Sequence, residues 1–163
     1  MRGPLSSLSL LLILLCVAGC AGGGLGRSPE LSASETDQVL EAVYRYQLAH
    51  DARPETGVFC LCVPAGRDGG DPSSTLLERF AGEPRPVVAC SACDVEEGRI
   101  VERRSGKTAL TFFIADIHPL PTGEVEVEGG SRAGRFSSSR LRYRVVRQGA
   151  GWKVADVLGA QVR

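Results

Sequence analysis

Near its C-terminus the chain reads Arg140-Leu141-Arg142-Tyr143-Arg144-Val145-Val146-Arg147-Gln148-Gly149-Ala150-Gly151-Trp152-Lys153-Val154. Polar and apolar side chains alternate over the first half of this stretch, which is typical of a strand with one buried and one solvated face. Gly149-Ala150-Gly151 is short enough for a hairpin turn, and a second β-favouring run follows over residues 152–158. The stretch therefore predicts an antiparallel hairpin.

The residues ahead of this hairpin predict further strands of the same sheet. Residues 110–117 form a β-favouring run, and Glu124-Val125-Glu126-Val127-Glu128 alternates strictly. Thr122-Gly123 is short enough for a hairpin turn, whereas residues 129–139 must hold a bulge or a longer loop. We expect an antiparallel meander over this half of the chain.

An amphipathic helix is predicted upstream of the sheet. Ser34, with Asp37 three places on, approximates a capping box, and the helical pattern fades near His50, ahead of Pro54. The spacing places Val39, Leu40, Val43, Tyr44 and Tyr46 on the apolar face, and Gln38, Glu41, Arg45 and Gln47 on the opposite face.

The segment between this helix and the meander predicts two more strands and a second, short helix. Residues 58–63 and 87–95 are β-favouring runs. Asp71-Pro72 supplies a helix start and Gly82 a stop, which predicts a helix over residues 73–81. That helix would bury Leu76, Leu77 and Phe80.

Two early helices and a late sheet indicate the α+β class. The closing hairpin, in which Trp152 follows the turn and alternating apolar residues follow Trp152, resembles the last hairpin of nuclear transport factor 2-like domains of the cystatin-like superfamily. The resemblance implies a cystatin-like α+β roll, with the N-terminal helix and the short second helix packed on a curved antiparallel sheet. It also implies a pocket under the helices, which is catalytic in some members and serves binding or dimerisation in many.

The first twenty residues carry a second resemblance. An uncharged apolar run over residues 10–18 follows Arg2 and ends in Val17-Ala18-Gly19-Cys20. This ending resembles the lipobox of bacterial lipoproteins, in which the cysteine is acylated and becomes the new N-terminus after cleavage. The resemblance implies a signal peptide at 1–19, a lipidated Cys20 with a flexible tether at 20–33, and a single α+β roll domain at 34–163.

The lipobox resemblance implies that the protein lies in the cell envelope, anchored to a membrane through lipid on Cys20. Ala21 after the cysteine implies, by resemblance to enteric lipoproteins, the outer membrane facing the periplasm where the host has one. The apolar run is shorter than the roughly 20 residues of a spanning helix. A conventional secretory signal is the alternative, and it would leave a soluble protein with Cys20 free.

Four cysteines lie beyond the export segment, as Cys60-x-Cys62 and Cys90-x-x-Cys93. In an exported protein they favour two disulfides, for which three pairings exist. The preferred pairing is Cys60 with Cys93 and Cys62 with Cys90, in which one pair lies inside the other along the chain. Two antiparallel strands whose pairing is interrupted by one bulge residue would give this nested arrangement. A four-thiolate zinc site and a redox Cys-x-x-Cys are the alternatives.

Composition argues against a dedicated nucleic-acid binder, because 19 basic and 19 acidic side chains leave no basic excess. Arginines on one predicted strand face could meet an anionic headgroup or polysaccharide, but a solvated face balanced by acidic residues across the hairpin is favoured. The arginines are Arg132, Arg135, Arg140, Arg142, Arg144 and Arg147, and the balancing residues are Glu124, Glu126 and Glu128.

No catalytic residue, metal or cofactor is predicted. In the best enzymatic alternative, Asp116, which lies in an apolar run, acts as an acid or base. Tyr44 or Tyr46 would donate a hydrogen bond across the same cavity. The chain contains two histidines, His50 and His118. The favoured function is an envelope lipoprotein whose small domain binds or scaffolds a protein or a small molecule, with homodimerisation left open. A pocket enzyme of isomerase or hydrolase type, and a thiol redox or zinc-binding protein, are the alternatives.

Overall fold

The computed structural model describes residues 30–65 and 69–160, and for Ala160 it describes the backbone alone. The predicted signal peptide, Cys20 and most of the predicted tether lie outside these residues. The helices are α1 (Ala33–His50) and α2 (Ser74–Glu78), with a 3-10 turn at Cys90–Ala92. The strands are β1 (Val58–Cys62), β2 (Val87–Ala89), β3 (Cys93–Glu96), β4 (Arg99–Glu102), β5 (Ala109–Pro119), β6 (Val125–Gly134), β7 (Ser137–Gln148) and β8 (Gly151–Ala160).

The described chain is an α+β fold with one long helix and an open, mostly antiparallel sheet of eight strands. Strands β5 to β8 form the predicted antiparallel meander. Strand β1 departs from the prediction, because it runs parallel to both of its neighbours, β2 and β5. A wholly antiparallel sheet was therefore the wrong expectation for the first half of the fold.

Helix α1 begins two residues before the predicted start. Ser32 is its N-cap: the Ser32 hydroxyl accepts from the backbone N–H of Glu35 at 3.3 Å, and the Ser32 N–H donates to the Glu35 carboxylate at 3.1 Å. The Ser32 backbone bond, its hydroxyl and Arg147 lower the pKa of Glu35 to about 2. Leu31 already packs against the core, so the folded part begins inside the predicted tether.

The buried face of α1 contains one residue that the sequence placed on the polar face. Val39, Leu40, Val43 and Tyr44 are buried as predicted, and Gln47 is fully buried beside them. The Gln47 amide nitrogen donates to the carbonyl of Gly130 and to the hydroxyl of Tyr143, both at 3.1 Å. Two specific hydrogen bonds thus offset the cost of removing the amide nitrogen from water.

Helix α2 is shorter than predicted and has a different cap. The Ser73 hydroxyl accepts from the Leu76 N–H at 3.0 Å and donates to Asp37 of α1 at 2.8 Å, which ties the two helices together. Asp71, the predicted cap, instead accepts two hydrogen bonds from Ser91, each 2.7 Å long. Leu76 and Phe80 are buried as expected, whereas Leu77 is only partly buried.

Three further stretches differ from the sequence prediction. The predicted strand over residues 87–95 is broken by the 3-10 turn into β2 and β3. Strand β4 was not predicted, and it pairs with β3 in a hairpin turned at Glu97-Gly98. Residues 129–139, expected to hold a bulge or a longer loop, belong almost entirely to β6 and β7, so the bulge was the correct alternative. Only the turn at residues 135–136 and a bulge near Ala133 interrupt them.

The sheet has a core on each of its two faces. The helices cover one face, where Phe59, Leu61 and Phe112 pack with the apolar side of α1. On the other face the β3–β4 hairpin covers a smaller cluster that contains Val58, Cys60, Ile100 and Ala109. Within residues 30–65 and 69–160, no helix has the length and hydropathy needed to cross a bilayer.

Removing the Ser32 hydroxyl should weaken the start of α1. We expect Ser32→Ala to lower the free energy of unfolding by about 0.5–2 kcal/mol, the usual range for loss of an N-cap, as measured by urea denaturation. Ser34→Ala is the matched control and should leave stability nearly unchanged, because Ser34 lies inside the helix. Equal losses in the two variants would contradict the assignment of the cap.

Candidate functional site

A cleft of roughly 480 Å³ lies on the sheet face opposite α1, and we name it the arginine cleft. It crosses strands β1, β5, β6 and β7, beyond the area that the β3–β4 hairpin covers. Its walls combine apolar side chains with two guanidinium groups. The described lining residues are Cys62, Pro64, Ala65, Gly69, Thr111, Phe113, Ile114, Ala115, Arg132 and Arg140.

Phe113 lies on this face because successive side chains of a strand point to opposite sides of the sheet. Its neighbours Phe112 and Ile114 are buried in the helix-side core. Phe113 pairs across the sheet with Gly130, where a Cβ would lie 3.0 Å from the ring and would overlap the carbonyl oxygen of Ser139. The absence of a side chain at position 130 therefore makes room for the ring.

The two arginines of the cleft both approach the Phe113 ring. The guanidinium carbon of Arg132 lies 5.9 Å from the ring centroid, and that of Arg140 lies 6.0 Å from it. Arg140 also forms a 2.8 Å ion pair with Glu128. In the part of the chain that the structure describes, Arg132 has no acidic partner, so its cation–π contact with Phe113 leaves its hydrogen-bond donors available.

The predicted disulfide pairing is confirmed, since Cys60 is bonded to Cys93 and Cys62 to Cys90. The reasoning behind that prediction was wrong, because the two segments are not antiparallel neighbours. Strand β1 runs parallel to β2, and their register pairs Leu61 with Ala89, so that the next residues, Cys62 and Cys90, lie side by side. The 3-10 turn then reverses the chain and returns Cys93 to Cys60.

The disulfides also bear on the chemical alternatives for these cysteines. All four sulfur atoms are consumed in bonds to one another, so none is a thiolate that could bind zinc or attack a substrate. Within the described ranges, no group of three or more His, Cys, Asp or Glu side chains is arranged to hold a metal ion.

One disulfide supports a wall of the arginine cleft. Gly69 has a φ of +81°, and a Cβ there would lie 3.2 Å from the Cβ of Cys62 and 3.8 Å from the sulfur of Cys90. Val63 and Gly70 form a two-way backbone bridge, with hydrogen bonds of 2.9 and 2.8 Å. The Cys62–Cys90 bond and this bridge therefore fix the residues that bound the cleft on the side of β1.

Asp116, the predicted acid or base, lies on the outer face and is exposed. It alternates with Ile117, which packs against the helix-side core, and one of its oxygens accepts from the Ile117 N–H at 2.9 Å. A shallow depression of about 220 Å³ surrounds it, lined also by His118, Glu126, Glu128 and Arg142. Asp116 is thus a solvated carboxylate among other charged groups.

The two helix tyrosines lie on the opposite side of the sheet. Tyr44 is fully buried, and its hydroxyl donates to the Cys62 carbonyl at 2.8 Å. Burial raises the pKa of Tyr44 far above its usual value. Tyr46 stacks on His50, with ring centroids 3.9 Å apart. The structure therefore brings neither Tyr44 nor Tyr46 to Asp116, and the three residues share no cavity.

A buried polar cluster at the end of α1 was not predicted. Besides the Gln47 hydrogen bonds it contains Tyr143, whose pKa burial raises to about 12, and Asp51, the C-cap of the helix. One oxygen of Gln47 and one of Asp51 are buried without a hydrogen-bond partner among the described atoms. Burial also raises the pKa of Asp51.

The arginine-rich strand is largely balanced by acidic residues, as the favoured interpretation expected. Arg140 pairs with Glu128, and Arg142 lies opposite Glu128 in the ladder. Two partners come from elsewhere: Arg144 pairs with Asp156 at 3.4 Å, and Arg147 pairs with Glu35 of α1. The remaining predicted arginine, Arg135, contacts the ring of the exposed Phe136 at the β6–β7 turn.

Comparison of the chain with protein-family models, with curated proteins and with solved structures finds no match in any of the three. The lipobox and the nuclear transport factor 2-like resemblance therefore stay predictions. Cys20 itself lies outside the described residues.

Neutralising Asp51 should change the pH dependence of stability. Because its pKa is raised in the folded state, Asp51 favours folding when protonated, and that contribution is lost as the pH rises from about 4 through the elevated pKa. We expect Asp51→Asn to have a higher Tm than the parent at pH 7, with the difference shrinking toward pH 3 in thermal unfolding followed by circular dichroism. A lower Tm at pH 7 would contradict this interpretation.

A side chain at position 130 should be poorly tolerated. Gly130→Ala would force its methyl group into the Ser139 carbonyl and the Phe113 ring, so we expect a loss of at least about 2 kcal/mol in urea denaturation. Gly151→Ala is the matched strand control, because a Cβ there meets no atom within 4 Å. Comparable losses in both variants would show that close packing at Gly130 is not responsible.

Proposed function

We propose that this protein is a lipid-anchored lipoprotein of the bacterial cell envelope whose single domain binds or scaffolds a partner without catalysing a reaction. The observation that carries the proposal is the pair of disulfides, Cys60–Cys93 and Cys62–Cys90. Such bonds form and persist in oxidising compartments outside the cytosol. An exported chain needs a targeting segment, and the apolar run ending in Cys20 supplies one.

The proposed anchor follows from the sequence before Cys20. Val17 fits the branched apolar position of the lipobox and Ala18-Gly19 its two small positions, and the Gly- and Ser-rich residues after Cys20 fit a tether to the domain. With Ala21 after the cysteine, the proposed location in a Gram-negative host is the outer membrane, facing the periplasm. Two or more acyl chains would make the attachment stable.

We further propose the nuclear transport factor 2-like roll as the architecture of the domain. The long helix α1 covers one face of the β5–β8 meander, and Trp152 follows the β7–β8 turn and packs against the helix-side core. These features support the proposal. The parallel pairing of β1 and the covering β3–β4 hairpin are additions to the simple antiparallel sheet that the resemblance implies.

A binding role is favoured over catalysis by the positions of the candidate residues. The isomerase-type alternative requires Asp116 and a tyrosine of α1 in one apolar cavity. Asp116 is solvated on one face of the sheet, and the Tyr44 hydroxyl is engaged by the Cys62 carbonyl on the other. The arginine cleft offers charge and apolar surface, which are the elements of a binding site.

Intact-mass analysis of the full chain, expressed with its own leader and purified from membranes in detergent, tests the anchor. We expect a mature protein that begins at Cys20 and carries the added mass of acyl chains. Cys20→Ser should lack that mass. Cys16→Ser is the matched control, because Cys16 would be removed with the signal peptide and the mature protein would be identical to the parent.

The same preparation tests the disulfides. Without reductant, a denatured sample should take up no alkylating agent at the four domain cysteines, and after reduction it should take up four equivalents. A mature chain that starts elsewhere, retains its leader or lacks acyl mass would overturn the proposed anchor. Free thiols at these positions would remove the argument for an oxidising compartment.

A further inference from the structure

We propose that the arginine cleft binds a small organic anion, a phosphate or carboxylate attached to an apolar group. The anionic group would meet the guanidinium of Arg132, and the apolar group would lie against Phe113. This inference rests on the proposed binding role of the domain and names the class of ligand. It is independent of the pocket under the helices that the family resemblance implies, because the cleft lies on the opposite face of the sheet.

Arg132 is the strongest reason to expect an anion. Its guanidinium is held at the Phe113 ring and has no acidic partner among the described residues. A guanidinium presents its donors in a planar fork that matches the oxygens of phosphate and carboxylate. Arg140, Arg144 and Arg147 are paired with carboxylates, so Arg132 differs from these three in availability. Arg142 has no ion pair among the described residues either, but it lies outside the cleft.

Arg140 provides a second cation that an anion can recruit. It approaches the same ring as Arg132, from the neighbouring strand β7, and its present partner is Glu128. Half of the Arg140 side chain and a third of the Glu128 side chain are exposed, so the ion pair is solvated and contributes little to stability. An incoming anion would therefore compete with Glu128 for Arg140 at low cost.

The lining of the cleft is mixed polar and apolar, and its apolar part offers an organic anion contacts that an inorganic anion would leave unused. A volume of roughly 480 Å³ falls within the usual range for small-molecule sites. Besides the Phe113 ring, the walls present Pro64, Ala65 and Ala115, and Thr111 adds a hydroxyl group. A bare phosphate would use the arginine but would leave this apolar surface in contact with water.

Glycine and disulfide chemistry keep the cleft preformed. Gly130 allows the Phe113 ring to lie over β6, which carries Arg132 and is paired with β7, the strand of Arg140. The Cys62–Cys90 bond fixes the wall on the side of β1. A ligand would thus meet a ring and a disulfide-linked wall residue, Cys62, that are already positioned, which lowers the entropy lost on binding.

Isothermal titration calorimetry of the full chain in an uncharged detergent tests the proposal. The probes are phenyl phosphate and benzoate. Inorganic phosphate and phenol are the separated halves of phenyl phosphate, and formate is the carboxylate of benzoate without its ring. We expect at least one of the two aromatic anions to bind, and to bind several-fold more tightly than either half. Failure of both aromatic anions to bind, or equal affinity for inorganic phosphate, would overturn the proposal.

Two arginine variants test whether the anion binds at the cleft. Arg132→Gln should weaken the aromatic anion by about tenfold, because a charge-assisted hydrogen-bond pair is lost. Arg142→Gln is the matched control: it makes the same charge change on the same sheet face, at a residue that lies outside the cleft. It should change the affinity less than twofold, and an equal loss in both variants would indicate general electrostatic attraction and overturn the proposal.

Two further variants separate recognition from folding. Glu128→Gln should tighten binding, because it frees Arg140, and no merely structural role of Glu128 predicts a gain. Arg132→Lys keeps the charge without the planar fork and should bind with intermediate affinity. If Glu128→Gln weakens binding, or if Arg132→Lys binds like the parent, the assigned roles are wrong.

The outcome is distinguishable from that of the proposed lipid anchor. Binding is measured on both the parent and the Cys20→Ser chain, and we expect equal affinities because the cleft belongs to the folded domain. Absence of acyl mass would refute the proposed anchor without contradicting the proposed anion binding at the cleft. Absence of binding, with acyl mass present, would refute the cleft alone.

Discussion

Strand β1 is the constraint on which the rest of the structure depends. It is buried along its whole length, and its alternate side chains enter two different cores. Phe59 and Leu61 pack under α1, while Cys60 and Cys62 point to the other face and bond to the segment that follows β2. Because β1 is parallel to both neighbours, the chain must cross over between them, and those crossovers carry α2, the 3-10 turn and the β3–β4 hairpin.

The sequence predicted the elements whose signal is local. Period-two alternation identified β6 and β7, β-favouring composition identified β5 and β8, and helical periodicity found α1 and its end near His50. The paired cysteines were assigned correctly, although by an argument from antiparallel pairing that the structure does not support. Nesting of the two pairs was the useful part of that argument, since a chain reversal after Cys90 produces the same nesting.

What the sequence could not predict is set by contacts between distant residues. Gly129-Gly130 has the composition of a loop, and only the facing Phe113 and Ser139 backbone show why strand residues there must lack a side chain. Gln47 follows the polar pattern of α1, yet partners more than eighty positions away draw it into the core. The arginine cleft combines four strands, and the sequence indicated its two arginines, Arg132 and Arg140, only as members of a larger set that could meet an anionic group.

The nesting of the disulfides has a thermodynamic consequence of its own. Each bond closes a loop of about thirty residues, with separations of 33 and 28, and a single closure of that size is worth about 4 kcal/mol in chain entropy. Once either bond exists, the other closes only a small inner ring, so the entropic gains overlap instead of adding. If a reductant opened one disulfide, the other would still keep most of the restriction on the unfolded chain. Either bond alone therefore supplies most of the entropic stabilisation that the two supply together.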